Sequence, residues 1–210
     1  MQFYYGSLIL SNCLLVISFL IGILKRAELQ RKEKWYLAYL GYILGIELIV
    51  KLLIFVFDVK STNYLYPFYI SGEFLLLAYL FIAELNASRK WYIFGGIIAL
   101  VIFIKTAVLA DNSLTIVHNI GKIFSHLCII CLAGYALVNE LKNLKVGNNR
   151  FMLIYACLFM YYSISLFFFL LLNQLTTISH SDASIIWGMN NILSSILYAT
   201  SIYVFALSKK

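Results

Sequence analysis

The sequence contains few charged residues and almost no proline. Only 12% of its 210 residues are charged and one is proline, Pro67, whereas 63% are hydrophobic and the mean hydropathy is +0.91. A soluble domain carries about 25% charged residues, so a water-soluble fold of this length would not have enough interior for these apolar side chains. The apolar runs are long and do not alternate as barrel strands do, which favours helices. The composition therefore predicts an all-α integral membrane protein.

Sequence motifs for catalysis, metal binding or cofactor binding are also missing. The four cysteines lie in apolar segments without zinc-ligand spacing. There is no His-Glu-x-x-His motif and no glycine-rich phosphate loop, and the last apolar segment has no lysine for a retinal Schiff base. We therefore predict no catalytic residue, no metal and no cofactor, and a non-enzymatic role is favoured over an enzymatic one.

Seven apolar segments have the length of a transmembrane helix. A helix needs about 20 residues to cross a hydrocarbon core of about 30 Å. The segments are 4–24, 35–57, 65–84, 91–110, 114–138, 151–173 and 184–207. They predict that residues 1–210 form a single domain, a bundle of seven transmembrane helices.

The basic residues lie mainly on one side of these predicted spans. Twelve of the 16 lysines and arginines fall in the first, third and fifth connections or after the last span, and only Lys60 falls on the opposite side. Basic connections face the cytoplasm, which predicts an N-terminus outside and a C-terminus inside. The net charge of +7 then reflects the orientation of the chain in the membrane and does not indicate nucleic-acid binding. The short chain, without glycosylation-rich outer loops, favours a bacterial inner membrane.

Polar and charged residues inside the spans are candidates for a functional site. A charge at membrane depth costs free energy and normally faces a bundle interior or a water-filled cavity. The candidates for a ligand site or an ion path are Glu47, Lys51, Glu73, Lys105, His118, Asn119, Lys122, His126, Asn190 and Asn191. Most of them lie in the outer half of the predicted bundle or near its middle. This distribution predicts an outward-facing polar cavity lined by helices two, three, four, five and seven.

Several of these residues also have a structural interpretation. Glu47 and Lys51 lie four residues apart and can form a self-neutralising pair, and the two asparagines of the last helix can hydrogen-bond between helices. The lysines of the fourth and fifth helices can extend to the outer surface. Glu73 differs because no cation is within reach on its own helix. Gly41 and Gly45 form a GxxxG motif that indicates close packing by another helix.

Three functions are compatible with this pattern. The first is a sensory or regulatory protein that binds an anionic or zwitterionic small ligand, a lipid or a partner in the outward cavity and signals through a separate cytoplasmic protein. The second is a transporter or channel whose path is lined by intramembrane Glu and Lys residues, possible also as a homo-oligomer through the Gly41–Gly45 face. The third, less favoured, is a lipid-acting intramembrane enzyme with Glu73 and Glu47 as acid and base. The lipid bilayer is a partner in each case, and nucleic acid in none.

Overall fold

The regular structure of the described residues is helical. The computed structural model describes residues 2–109, 120–142, 150–174 and 180–207. This part contains seven α-helices: α1 (Gln2–Leu24), α2 (Arg31–Phe55), α3 (Tyr66–Glu84), α4 (Arg89–Leu109), α5 (Ile120–Lys142), α6 (Met152–Gln174) and α7 (His180–Ala206). A short 3-10 helix, Asn63–Leu65, precedes α3. The predicted all-helical class is confirmed.

Six of the seven helices, α1 to α6, are long and apolar enough to cross a membrane. Their bounds differ from the predicted spans by a few residues at most ends. The largest differences are four residues, at the starts of α2 and α7 and at the end of α5, and the predicted start of the fifth span at 114 lies outside the described residues. Helix α7 has 27 residues, but its asparagines and serines lower its hydropathy. The membrane crossing of α7 and the N-out orientation stay predictions.

The first of two compact units comprises Met1–Leu29 and Ile130–Lys210. Within it, α7 packs against both α1 and α6. The buried residues of α1 are Ser7, Ser11, Leu15, Ser18 and Gly22. They recur every three or four residues and are mostly small, which allows a close approach of a neighbouring helix. Ser11 uses this proximity, because its Oγ lies 2.9 Å from the Oγ of Ser194 on α7.

The second unit, Gln30–Ile129, is organised around α3, which packs against α2 and α4. The half of this unit that contains the start of α2 and the end of α3 is filled by apolar and aromatic side chains. Its fully buried members include Tyr36, Leu40, Leu77, Leu80 and Phe81. Ser71 and Glu73 lie nearer the other end of α3, whereas Glu84 is its last residue.

A tight turn reverses the chain between α3 and α4. Asn86 adopts a left-handed conformation with φ of 48°, which asparagine tolerates better than most residues. The N–H of Ala87 donates to the carbonyl of Ile82 at 3.1 Å, and the N–H of Asn86 donates to the carbonyl of Ala83 at 3.4 Å. These two bonds form a Schellman motif, which satisfies carbonyls at the end of α3. The turn lets α4 run back along α3.

Candidate functional site

Glu73 is a buried carboxylic acid in the middle of a membrane-length helix. It lies seven residues after the start of α3, and only 3% of its surface is exposed. It interacts electrostatically with Tyr42 of α2, Tyr66 of α3 and Lys122 of α5. We call these four residues the Glu73 cluster. A buried carboxylate needs an opposite charge such as that of Lys122, because its isolated charge is strongly disfavoured away from water.

Lys122 supplies the positive charge of the Glu73 cluster. It lies in the first turn of α5 and is partly buried. Its Nζ atom is 5.9 Å from the centre of the Tyr66 ring, within the range of a cation–π interaction. His126, one turn further along α5, is buried and interacts electrostatically with Lys122. The cation that α3 itself lacks is thus contributed by another helix.

The glycine that precedes Glu73 makes room for the tyrosine from α2. A Cβ atom at Gly72 would overlap the Tyr42 ring, lying 2.7 Å from its Cε1 atom. The Tyr42 hydroxyl donates a hydrogen bond of 2.6 Å to the carbonyl oxygen of Phe68, one turn before Gly72. The ring therefore crosses the backbone of α3 at a place that only glycine leaves open. This contact fixes the spacing of α2 and α3 beside the Glu73 carboxylate.

A second close contact holds the start of α5 against α4. A Cβ atom at Gly121 would lie 2.6 Å from Oγ1 of Thr106. The Thr106 hydroxyl is itself held in place, because it donates to the carbonyl oxygen of Ile102 at 2.6 Å. Lys122 follows Gly121 directly. The approach of α4 therefore determines where the backbone that carries Lys122 lies.

The other charged candidates of the second unit lie outside the Glu73 cluster. Glu47 and Lys51 interact electrostatically with each other on α2, and both are partly exposed. Lys105 is exposed on α4. His118 and Asn119 lie outside the described residues. The structure thus brings Glu73, Lys122 and His126 to one place together with Tyr66 and with Tyr42, which the sequence pattern did not indicate.

The glycine motif of α2 does not contact another described helix at Gly45. A Cβ atom added there would meet no atom within 4 Å, and Gly41 is partly buried. The predicted role of this motif in helix packing is therefore not visible at Gly45 within the described part of this chain.

The polar stripe of α7, which comprises Asn190, Asn191, Ser194 and Ser195, lies in the first unit and contacts α1. The Nδ2 atom of Asn191 donates to the Oγ of Ser7 at 3.4 Å, in addition to the contact of 2.9 Å between Ser194 and Ser11. The Oδ1 atom of Asn190 is buried and accepts no hydrogen bond from the described residues. Asn191 thus makes the interhelical contact that the structural interpretation of this stripe describes.

A buried ion pair at the opposite end of the second unit was not anticipated from the sequence. Nζ of Lys32, at the start of α2, lies 2.8 Å from Oε2 of Glu84 at the end of α3, and the two side chains are 14% and 6% exposed. The neighbouring Glu33 is also buried and accepts a hydrogen bond of 2.8 Å from the N–H of Gln30. One feature of the sequence indicates this pair. The acidic residue Glu84 ends the third apolar segment on the predicted cytoplasmic side, where the connections carry the basic residues.

Aromatic rings of α2, α3 and α4 also contact one another at this end of the second unit. The Trp35 and Tyr79 rings meet edge to face with centres 5.0 Å apart, and Tyr79 meets Tyr92 in the same way at 5.1 Å. The guanidinium carbon of Arg31 lies 5.3 Å from the centre of the Tyr92 ring. These contacts join the first turns of α2 and α4 to the last turns of α3, and they close this end of the second unit with packed side chains.

No protein-family model, curated protein or solved structure matches this chain. The function is therefore inferred from the chemistry of the Glu73 cluster. The cluster offers a carboxylate, an ammonium group and two phenolic hydroxyls, contributed by α2, α3 and α5. This set is suited to holding a small charged molecule by ion pairs and hydrogen bonds.

Proposed function

We propose that this chain is a multi-pass sensory or regulatory membrane protein whose Glu73 cluster binds a zwitterionic or anionic small ligand. The observation that carries the proposal is that opposite charges from two helices, Glu73 and Lys122, share one site inside segments of membrane-spanning length. A zwitterion would place its cationic group at Glu73 and its anionic group at Lys122. A purely anionic ligand would use Lys122 and the Tyr66 hydroxyl, because the Tyr42 hydroxyl donates to the carbonyl oxygen of Phe68.

The energetics of buried charges support ligand binding at this site. A charge at the centre of a membrane helix costs roughly 2.5–3.5 kcal/mol on insertion scales, so each charged group needs a partner. Hydrogen bonds to charged groups contribute about 1.5–3 kcal/mol each. A ligand that meets Glu73 and Lys122 with opposite charges replaces their internal interaction and adds its own hydrogen bonds. The exchange therefore leaves neither charge unpaired.

The proposal includes the predicted topology of seven spans with the N-terminus outside, in a bacterial inner membrane. In that orientation α3 begins at the outer surface, and Glu73 lies about 10 Å below its start at 1.5 Å per residue. The inner half of the α2–α3 pair is filled by fully buried side chains such as Leu40, Leu77 and Phe81. This packing favours a site that is reached from outside and does not continue inward. A shift of α2 against α3 would carry the signal to a separate protein at the connection 25–34.

Transport is the second candidate, and one observation favours it. Glu47 and Lys51 form another interacting pair of charges on α2, which would extend a polar path beyond the Glu73 cluster. A transporter needs such a path to continue across the membrane. Its rate would depend on Glu47 as well as on Glu73, whereas a ligand sensor would depend on Glu73 and Lys122.

The first experiment measures thermal unfolding of the purified protein with a panel of probes. The panel contains zwitterionic amino acids, small dicarboxylates and inorganic phosphate. A ligand at one hundred times its dissociation constant stabilises the folded state by about 2.7 kcal/mol. We expect at least one probe class to raise the melting temperature of the wild type and of the control K105Q, which removes an exposed lysine of α4. The same probe should have no effect on K122Q, and a zwitterionic probe should also have no effect on E73Q.

The second measurement separates sensing from transport. Flux of protons, alkali cations and the probes is followed in proteoliposomes under an imposed potential, for the wild type, E73Q and E47Q. Flux that both substitutions abolish would establish the transport pathway and contradict the sensory proposal. If the probe raises the melting temperature of both E73Q and K122Q as it does for the wild type, the ligand binds outside the Glu73 cluster.

A further inference from the structure

An open groove runs along α4 near its first turns. It is lined by Ser88, Lys90, Trp91, Ile93, Phe94 and Ile97 and has a volume of about 520 Å³. Its four large apolar side chains are each more than half exposed. They recur within two turns of a helix that is apolar enough to cross a membrane, so the groove extends from a basic, polar end into the region that acyl chains occupy.

We propose that this groove binds an anionic phospholipid, with the phosphate at Lys90 and one acyl chain along the apolar wall. The distance along the helix from Lys90 to Ile97 is about 10 Å at 1.5 Å per residue, which corresponds to about a third of the hydrocarbon core of about 30 Å. Trp91 stands between the two ends of the groove, at the depth where tryptophan is enriched in membrane proteins.

The side chains that line the groove favour an anionic phospholipid over other ligands. The polar end carries a lysine ammonium and the Ser88 hydroxyl, which complement a phosphodiester. The rest of the wall is apolar, so a soluble phosphate compound would leave Ile93, Phe94 and Ile97 uncovered. A zwitterionic lipid would fill the groove but would gain less from Lys90. A lysine near the membrane surface favours an anionic lipid by roughly fivefold. This site is independent of the Glu73 cluster.

The test uses the fluorescence of Trp91. In the full chain, W35F and W187F leave Trp91 as the single tryptophan, and helix content by circular dichroism verifies folding. The protein is reconstituted into bilayers of brominated phosphatidylglycerol mixed with unbrominated phosphatidylcholine, and into the reverse mixture. Quenching of Trp91 at several mixing ratios gives the relative affinity for the anionic lipid. A soluble phosphate monoester is added in a further arm to compete for the basic end of the groove.

Two matched controls separate a groove site from a general surface charge. R89Q removes the neighbouring exposed cation, which does not line the groove, and K105Q removes an exposed cation near the other end of α4. We expect K90Q to lower the preference for the anionic lipid about fivefold, with little change in R89Q and K105Q. Equal losses in K90Q and R89Q would overturn the proposal in favour of bulk surface potential. Absence of quenching by either lipid, or full competition by the soluble phosphate, would also overturn it.

Discussion

The Lys32–Glu84 ion pair provides the sharpest test of how the second unit is held together. Its Nζ–Oε2 distance is 2.8 Å, and the side chains are only 14% and 6% exposed. Removing one partner of a buried pair typically costs about 3–5 kcal/mol, because the other charge is left uncompensated. The pair lies at the ends of its helices, where the membrane surface is near, so we expect about 2–3 kcal/mol for K32M.

The two single substitutions should differ in size. K32M leaves the Glu84 carboxylate nearly buried on a short side chain. E84Q leaves Lys32, whose long stem can carry the ammonium group toward the headgroups, and we expect about 1–2 kcal/mol for it. The double variant K32M/E84Q should be less destabilised than the sum of the two, by a coupling of about 1–2 kcal/mol.

Reversible unfolding in mixed micelles, titrated with sodium dodecyl sulfate and followed by circular dichroism, measures these free energies. The matched control is K25M, which breaks the more exposed pair Lys25–Glu28, whose side chains are 37% and 21% exposed and whose Nζ–Oε2 distance is 3.2 Å. Exposed pairs contribute about 0.2–1 kcal/mol, so the control should change little. The outcome that contradicts this prediction is a decrease in unfolding free energy below about 0.5 kcal/mol in each single variant, with the two decreases additive in the double variant. Decreases of that size are typical of an exposed ion pair.

Two further substitutions test the close helix contacts. G72A places a methyl group where the Tyr42 ring lies and should cost about 1–3 kcal/mol, whereas G45A, whose Cβ meets no atom within 4 Å, should be neutral or slightly stabilising; equal losses in the same unfolding assay would contradict the packing described for Gly72. S11A removes the hydroxyl contact with Ser194 and should lower the unfolding free energy by about 0.6 kcal/mol; an unchanged unfolding midpoint would show that this contact contributes nothing.

Hydropathy and length predicted most of the helices from the sequence. Helix α1 and the predicted span 4–24 end at the same residue, and α3 ends with its prediction at Glu84. The single proline also marks a boundary, since Pro67 lies in the first turn of α3, where its missing N–H has no helical partner. These features are readable because backbone hydrogen bonds inside a lipid-exposed helix are local and must all be satisfied within the segment.

The partners of the buried charges could not be predicted in the same way. Periodicity indicates which face of α3 carries Glu73, but it does not state which helix will supply the compensating cation. The structure selects Lys122, 49 positions further along the chain, and leaves Lys105, an equally plausible lysine, exposed on α4. The choice depends on how closely the helices approach each other, which Gly72 and Gly121 permit.

The sequence by itself therefore determined the helical class, the approximate bounds of the helices and the apolar character that indicates a membrane. Only the tertiary structure decided that Glu73 interacts with Lys122 beside Tyr42 and Tyr66, and that Lys32 and Glu84 form a largely buried pair. The physical reason is the separation along the chain over which each interaction acts. Helix formation and hydropathy depend on neighbours within a few residues, whereas charge compensation depends on contacts between helices that are distant in the chain.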